Sequence, residues 1–160
     1  MIVAALTTLL AAAIPSPAPA ARALAPPGAR QVLRANIDAR TSVFAFVGPK
    51  PIAFVLHYAR GRWSELPHGR VAVRELGPNP GATYSARIVQ VAAEFSAPST
   101  IVQAGLWVDA KAVPGRPHGS PTRFTAFGAS PRLAPGRHTA AAFAEAGGAA
   151  RAVVWSFRVR

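Results

Sequence analysis

Residues 131–160 read PRLAPGRHTAAAFAEAGGAARAVVWSFRVR, and this stretch has the punctuation of a closing β-hairpin. Pro135-Gly136 turns the chain into a strand, glycine accepting the positive φ that such a turn requires. Gly147-Gly148 makes a second reversal, into a final aromatic strand. Val153, Trp155, Phe157 and Val159 sit two apart, so in a strand they share one face. Burying side chains of that size contributes about 1.5–3 kcal/mol each, which makes this face the expected centre of a core. The strand before it is different. Its inward row is Ala140, Ala142 and Ala144, with Phe143 on the other face. A core lined by alanine is under-filled, and unfilled volume destabilises. Two arrangements solve this. Either Phe124, Phe127 or Trp107 fills the space from opposite, or the face of Phe143 is covered too, with residues 41–47 and 51–58 as the cover.

Working outward, Thr41–Val47 is β-branched and aromatic and stops at Gly48-Pro49. Residues 51–58 (PIAFVLHY) are almost wholly apolar, as in a strand buried on both faces. Residues 70–76 (RVAVREL) alternate, and Gly77-Pro78-Asn79-Pro80-Gly81 is the strongest break in the chain. Residues 86–95, 104–108 and 123–127 read as further strands, with 114–121 as a long turn-rich loop. About eight short strands at regular spacing, without an amphipathic helix, predict an all-β sandwich or barrel. The residues before the Gly77 break are too few for an independent domain without cysteines, so 36–160 is expected to be one domain.

The chain of 160 residues has no cysteine, which excludes disulfides, thiolate zinc sites and cysteine nucleophiles. Its formal charge is +12, from 16 Arg and 2 Lys against six acids. Such an excess attracts nucleic acid, acidic polysaccharide or anionic lipid. It is equally the signature of GC-rich coding, since Ala, Arg, Gly and Pro are abundant together. The arginines are scattered singly rather than gathered in tracts.

At the amino end, residues 2–14 form an apolar stretch too short for a membrane span, which needs roughly 20 residues. Ala18-Pro19-Ala20 supplies a small-x-small cleavage signal, and Ala23-Leu24-Ala25 a second. Residues 1–20 therefore read as a signal peptide, with cleavage after 25 as the alternative, although no Lys or Arg precedes the apolar stretch. Residues 21–35, rich in Pro and Ala, read as a poorly ordered linker, with a weak helix signal over 29–35.

The second half carries a resemblance. Ala93-Glu94-Phe95-Ser96-Ala97-Pro98 is followed by Gly105-Leu106-Trp107-Val108-Asp109-Ala110-Lys111. Then come Ser130-Pro131, Leu133, Pro135-Gly136, His138, and Trp155-Ser156-Phe157 with Val159. Over about residues 86–160 this pattern resembles a bacterial immunoglobulin-like domain of secreted proteins. The resemblance implies an immunoglobulin-like antiparallel β-sandwich of about 7–9 strands, with Asp109 in a hairpin turn and His138 as a corner residue bonded to backbone. Where that family has a VDG turn, this chain has Val108-Asp109-Ala110.

The candidate chemistry is sparse. His57, His68, His118 and His138 lack the local spacing of a metal site, and the six acids suggest no carboxylate pair for glycoside hydrolysis. No nucleophile elbow, P-loop or dinucleotide fingerprint occurs. We therefore expect no catalytic residues, no metal and no cofactor. Trp63 with Arg60, Arg62, Arg70 and Arg74 forms the one basic-aromatic cluster, able to stack on sugars or bases while its charges meet phosphate or uronate. The plainer reading is a loop whose Trp closes one end of the sandwich. The function expected is an exported, non-catalytic binding or structural module of the cell envelope or exterior, monomeric, with no membrane span after signal cleavage. Its partner would be a protein or an envelope polysaccharide. Two alternatives stand: a basic module binding acidic polysaccharide or nucleic acid, and a periplasmic copper-carrier-like sandwich suggested by Phe95-Ser96-Ala97-Pro98. The latter lacks a His between Ala21 and Leu56.

Overall fold

A computed structural model describes residues 13–160. One short helix, α1 (Ala18–Leu24), precedes thirteen strands. The amino-terminal sheet runs in the order β1 (Arg30–Asn36), β2 (Thr41–Val47), β3 (Ile52–Ala59), β4 (Arg62–Glu65). The outer sheet comprises β5 (Ala72–Gly77), β7 (Gln90–Ser96), β10 (Arg116–Ser120) and β11 (Arg123–Ala129), in the order β10-β11-β7-β5. The middle sheet comprises β6 (Thr83–Tyr84), β8 (Ile101–Val108), β9 (Lys111–Ala112), β12 (Gly136–Ala146) and β13 (Ala149–Val159), in the order β6-β13-β12-β8-β9. All neighbours are antiparallel except β6, which runs parallel to β13. The expectation of seven to nine strands falls short, because β1, β4, β6, β9 and β10 are short or edge strands with too little apolar pattern to be read as strands.

The side-chain alternation of β12 explains the layering. Ala140, Ala142, Ala144 and Ala146 face the outer sheet, where Val91, Ala93 and Phe95 of β7 and Trp155, Phe157 and Val159 of β13 complete the larger core. Ala141 and Phe143 point the other way, into a second core with Leu33, Val43, Ala45 and Val55 of the amino-terminal sheet and Trp107 of β8. The alanine row is thus tolerated because the middle sheet is covered on both faces, and Phe143 is buried to 1% exposure. Gly105 makes the second core possible. A Cβ there would fall on the ring of Trp107.

The amino-terminal sheet has an outer face as well. Phe44, Phe46, Phe54 and Leu56 stack there, with ring centroids 6.1 Å apart for Phe44–Phe54 and 5.8 Å for Phe46–Phe54. Ala21 of α1 lies on them with no exposed surface. The segment expected as a disordered linker over 21–35 is therefore structured: it holds the second half of α1, a turn closed by Ala29 N–H on Pro26 O at 3.1 Å, and strand β1. Proline misled that reading. Pro17 and Pro19 stand at the start of α1, where a missing N–H costs nothing, and the alanines after them are strong helix formers. Instead of a helix over 29–35 the chain forms the edge strand β1 (Arg30–Asn36), since β2 offers it a partner. The expected loop 114–121 likewise contains β10, a fully exposed edge strand that tolerates Pro117. The amino half of the expected signal peptide, residues 1–12, lies outside the described residues. No described helix is long and apolar enough to cross a membrane.

Candidate functional site: a basic groove between two sheets

The five residues of the basic-aromatic cluster divide between two sheets. Arg60 sits in the β3–β4 turn with φ 51°, and Arg62 is exposed on β4. Trp63 is half-buried on the outer face of the amino-terminal sheet, 5.4 Å from the ring of Tyr58, and its indole N–H donates to Pro15 O at 2.7 Å. Arg70 precedes β5, and Arg74 lies on the solvent face of the outer sheet, 3.3 Å from Glu94. Arg123 approaches the same carboxylate at 3.5 Å. The structure thus keeps Arg60, Arg62 and Trp63 on one hairpin and puts Arg74 across the middle sheet from them.

A different set of charges converges where the middle and amino-terminal sheets splay apart. A groove of about 600 Å³ opens there, lined by Arg30, Gln31 and Val32 of β1, Val47 and Gly48 at the end of β2, Asp109, and Arg137 to Thr139 of β12. Arg30 and Arg137 are both exposed. The two-residue turn at Gly147-Gly148 pairs Ala146 with Ala149 and, by continuing that register, Arg137 with Arg158. Like charges directly opposite on neighbouring strands repel. No acid lies within ion-pair distance of Arg30, Arg137 or Arg158 among the described residues.

The one acid in the groove is already engaged. Asp109 Oδ2 meets His138 Nδ1 at 2.7 Å, and Asp109 Oδ1 accepts from Thr139 N–H at 3.0 Å. His138 Nε2 donates to Ala134 O at 2.8 Å. Burial alone would lower the His138 pKa. The bond to Asp109, the bond to Ala134 O and the charge of Asp109 outweigh it and hold the imidazole above its ordinary 6.5. His138 is the backbone-bonded corner and engages Asp109, so the arginines of the groove are left without an acidic partner.

The opposite end of the same interface is acidic. Glu145 lies at the far end of β12 from Arg137, about 27 Å away at the usual strand rise of ~3.4 Å per residue. Burial, opposed by nearby His57 and reinforced by Asp38, raises the Glu145 pKa. Asp38 moves the other way: desolvation is outweighed by hydrogen bonds from Arg40 N–H, Gln103 and Thr41. Gln103 stands opposite Glu145 in register and donates to Asp38 at 3.4 Å, while its Oε1 finds no partner. His57 bonds Thr41 Oγ1 at 3.1 Å. His68 Nδ1 accepts from Arg151 at 2.7 Å, and His118 packs its ring 6.3 Å from Phe127. Among the described residues no three His, Asp or Glu side chains gather to hold a metal ion.

Arg30, Arg137 and Arg158 were not singled out from the sequence, because they come from three separated segments. One signal was available: the register imposed by the Gly147-Gly148 turn already sets Arg137 opposite Arg158. Compared with known proteins, the chain matches no protein-family model and no curated protein.

Proposed function

We propose that this chain is an exported, non-catalytic β-sandwich module of the immunoglobulin-like type, acting at the cell envelope or outside it, which binds anionic polymer through the groove lined by Arg30 and Arg137, with Arg158 opposite Arg137 on the neighbouring strand. The observation that carries this reading is the opposition of Arg137 and Arg158 without an acidic partner. A protein that maintains such repulsion gains when an anion bridges the pair, because guanidinium groups bind carboxylate and phosphate bidentately. The immunoglobulin-like reading draws support from the face-to-face packing of the outer and middle sheets and from the bonded corner at His138. Export draws support from the apolar stretch at residues 2–14 followed by small-x-small signals. Acidic polysaccharide suits an exported module better than nucleic acid, since a groove between sheets can follow a flexible chain of regularly spaced carboxylates.

The test is retention on a heparin-like matrix as a function of salt. Binding through several arginines gives a linear fall of log affinity with log salt, and each lost contact shallows the slope by roughly one. The R137Q/R158Q double variant is expected to elute at lower salt with a slope shallower by about two. Equal elution of the double variant and the parent would sink the groove as the site. A parent that passes unretained at low salt would sink the anionic ligand altogether.

A further inference from the structure

The outer sheet presents a second basic surface, on the side of the molecule away from the groove. Val91, Ala93 and Phe95 of β7 point into the larger core, so by alternation Gln90, Ala92 and Glu94 face solvent. On β11, Phe124 and Ala126 point inward, which turns Arg123, Thr125 and Phe127 outward. Register sets Arg116 and His118 of β10 beside Phe127 and Thr125, and Arg74 of β5 beside Glu94. Three guanidinium groups on this face therefore meet one carboxylate. Glu94 is shared by Arg74 at 3.3 Å and Arg123 at 3.5 Å, and the two arginine side chains remain 65% and 69% exposed. Arg116 has no acid within ion-pair distance among the described residues. Glu75, the other acid of β5, lines a cleft against β3 and β13 instead.

A largely apolar groove of about 380 Å³ opens at one end of this face, where Phe127 and Ala129 of β11 meet Ile88, Gln90 and Arg116. Ile88 is 54% exposed, and the half-buried Phe127 ring lies 6.3 Å from His118. An apolar wall beside an unpaired guanidinium fits a ring that is apolar on its face and anionic at its rim. A sugar uronate has this form: Phe127 and Ile88 would take the ring face, Arg116 the carboxylate and Gln90 a hydroxyl. Arg123 supplies a further charge four residues along β11, about 14 Å away at the usual strand rise of ~3.4 Å per residue. An extended chain of such rings can lie along the strand. We propose that this face is a second binding surface, for acidic polysaccharide, and that one module thereby holds two polymer chains, one in the groove and one on the outer sheet. The middle and outer sheets, stacked ~10 Å apart, separate the two sites, so a short oligomer occupies one or the other. The bridging rests on the groove reading, whereas the outer surface stands without it.

The experiment is calorimetric titration of the full chain, at low salt, with a tetramer of galacturonic acid. The expected stoichiometry is two tetramers per chain, falling to one in R116Q/R123Q and to one in R137Q/R158Q, with melting midpoints unchanged. Phe127→Leu is expected to weaken the outer site about two- to tenfold for the tetramer and to leave binding of polyglutamate, which has no rings, as it was. With long polygalacturonate the parent is expected to raise turbidity by cross-linking, and either double variant to lose it. A parent with one site, removed by R137Q/R158Q, overturns the outer surface and leaves the groove standing. Two sites that both survive R116Q/R123Q overturn it equally. One site removed by R116Q/R123Q instead overturns the groove and the bridging together. No binding by the parent overturns both surfaces. Tighter binding of an oligothymidylate than of the tetramer would assign the outer surface to nucleic acid and overturn the polysaccharide.

Discussion

Two acceptors on one imidazole, Asp109 Oδ2 at 2.7 Å and Ala134 O at 2.8 Å, are both served only when each ring nitrogen of His138 carries a proton. The folded-state pKa is accordingly raised above 6.5. A raised histidine stabilises fully below its unfolded value, and that contribution is lost as pH rises through the folded value. The urea midpoint is therefore expected to fall from pH 6 upward through the raised His138 pKa. In His138→Gln this part of the profile should flatten. If both proteins show the same pH dependence across that range, the doubly protonated ring is wrong. Gly105 gives a second test at this scale. A Cβ there meets the Trp107 ring, which packs at 6.3 Å from Phe143, so Gly105→Ala must displace the indole. Overpacking of this kind costs about 1–3 kcal/mol, read by chemical denaturation, and a shift in tryptophan fluorescence should accompany it. His138 was legible as a corner from Pro135-Gly136 before it. Gly105 was not, because only the folded approach of the indole gives that glycine a purpose.

Three tight hairpins are closed by two-residue turns in which both central residues have positive φ: Arg60-Gly61, Asp109-Ala110 and Gly147-Gly148. That is the geometry of the turn whose twist matches its strands. Ala110, at φ 63°, is the misfit, because a Cβ is disfavoured in the left-handed region. Ala110→Gly is expected to stabilise by about 0.5–1 kcal/mol in equilibrium unfolding, the relief of strain exceeding the extra freedom of glycine in the unfolded chain. A destabilised variant would contradict the turn assignment. Strands with a strong internal pattern were legible: β2 begins and ends at the residues its composition suggests, and β12 and β13 were apparent from their shared turn. The elements that escaped notice, α1, β1, β4, β6, β9 and β10, draw their stability from neighbours. β10 has all five residues exposed and exists because β11 supplies its hydrogen bonds. The Trp63 cluster is divided between two sheets, Arg62 and Trp63 on β4 and Arg74 on β5, since nearness in sequence across a sheet boundary is not nearness in space.

At the scale of the molecule, the alanine row of β12 was the most informative anomaly in the sequence. Four small side chains toward one sheet make sense only if the strand is needed on its other face as well, where Phe143 joins Trp107, Val43 and Val55. Phe143→Ala is expected to cost about 3–5 kcal/mol and to loosen the attachment of the amino-terminal sheet more than that of the outer sheet. Limited proteolysis should then cut first between residues 30 and 66. Cleavage beginning in the outer sheet would contradict the layering. That a third layer exists could be inferred from the alanines, but its register could not, because β1 to β4 pair only among themselves and meet the middle sheet through side chains alone. The same sandwiching has a consequence in time. β12 has a strand on each edge and a sheet on each face, so no local opening brings its amides to water. In hydrogen–deuterium exchange its peptide groups should be the last in the chain to take up label, at a rate set by global unfolding. The alanine-rich strand, poorest in side-chain bulk, would then be the molecule's slowest clock.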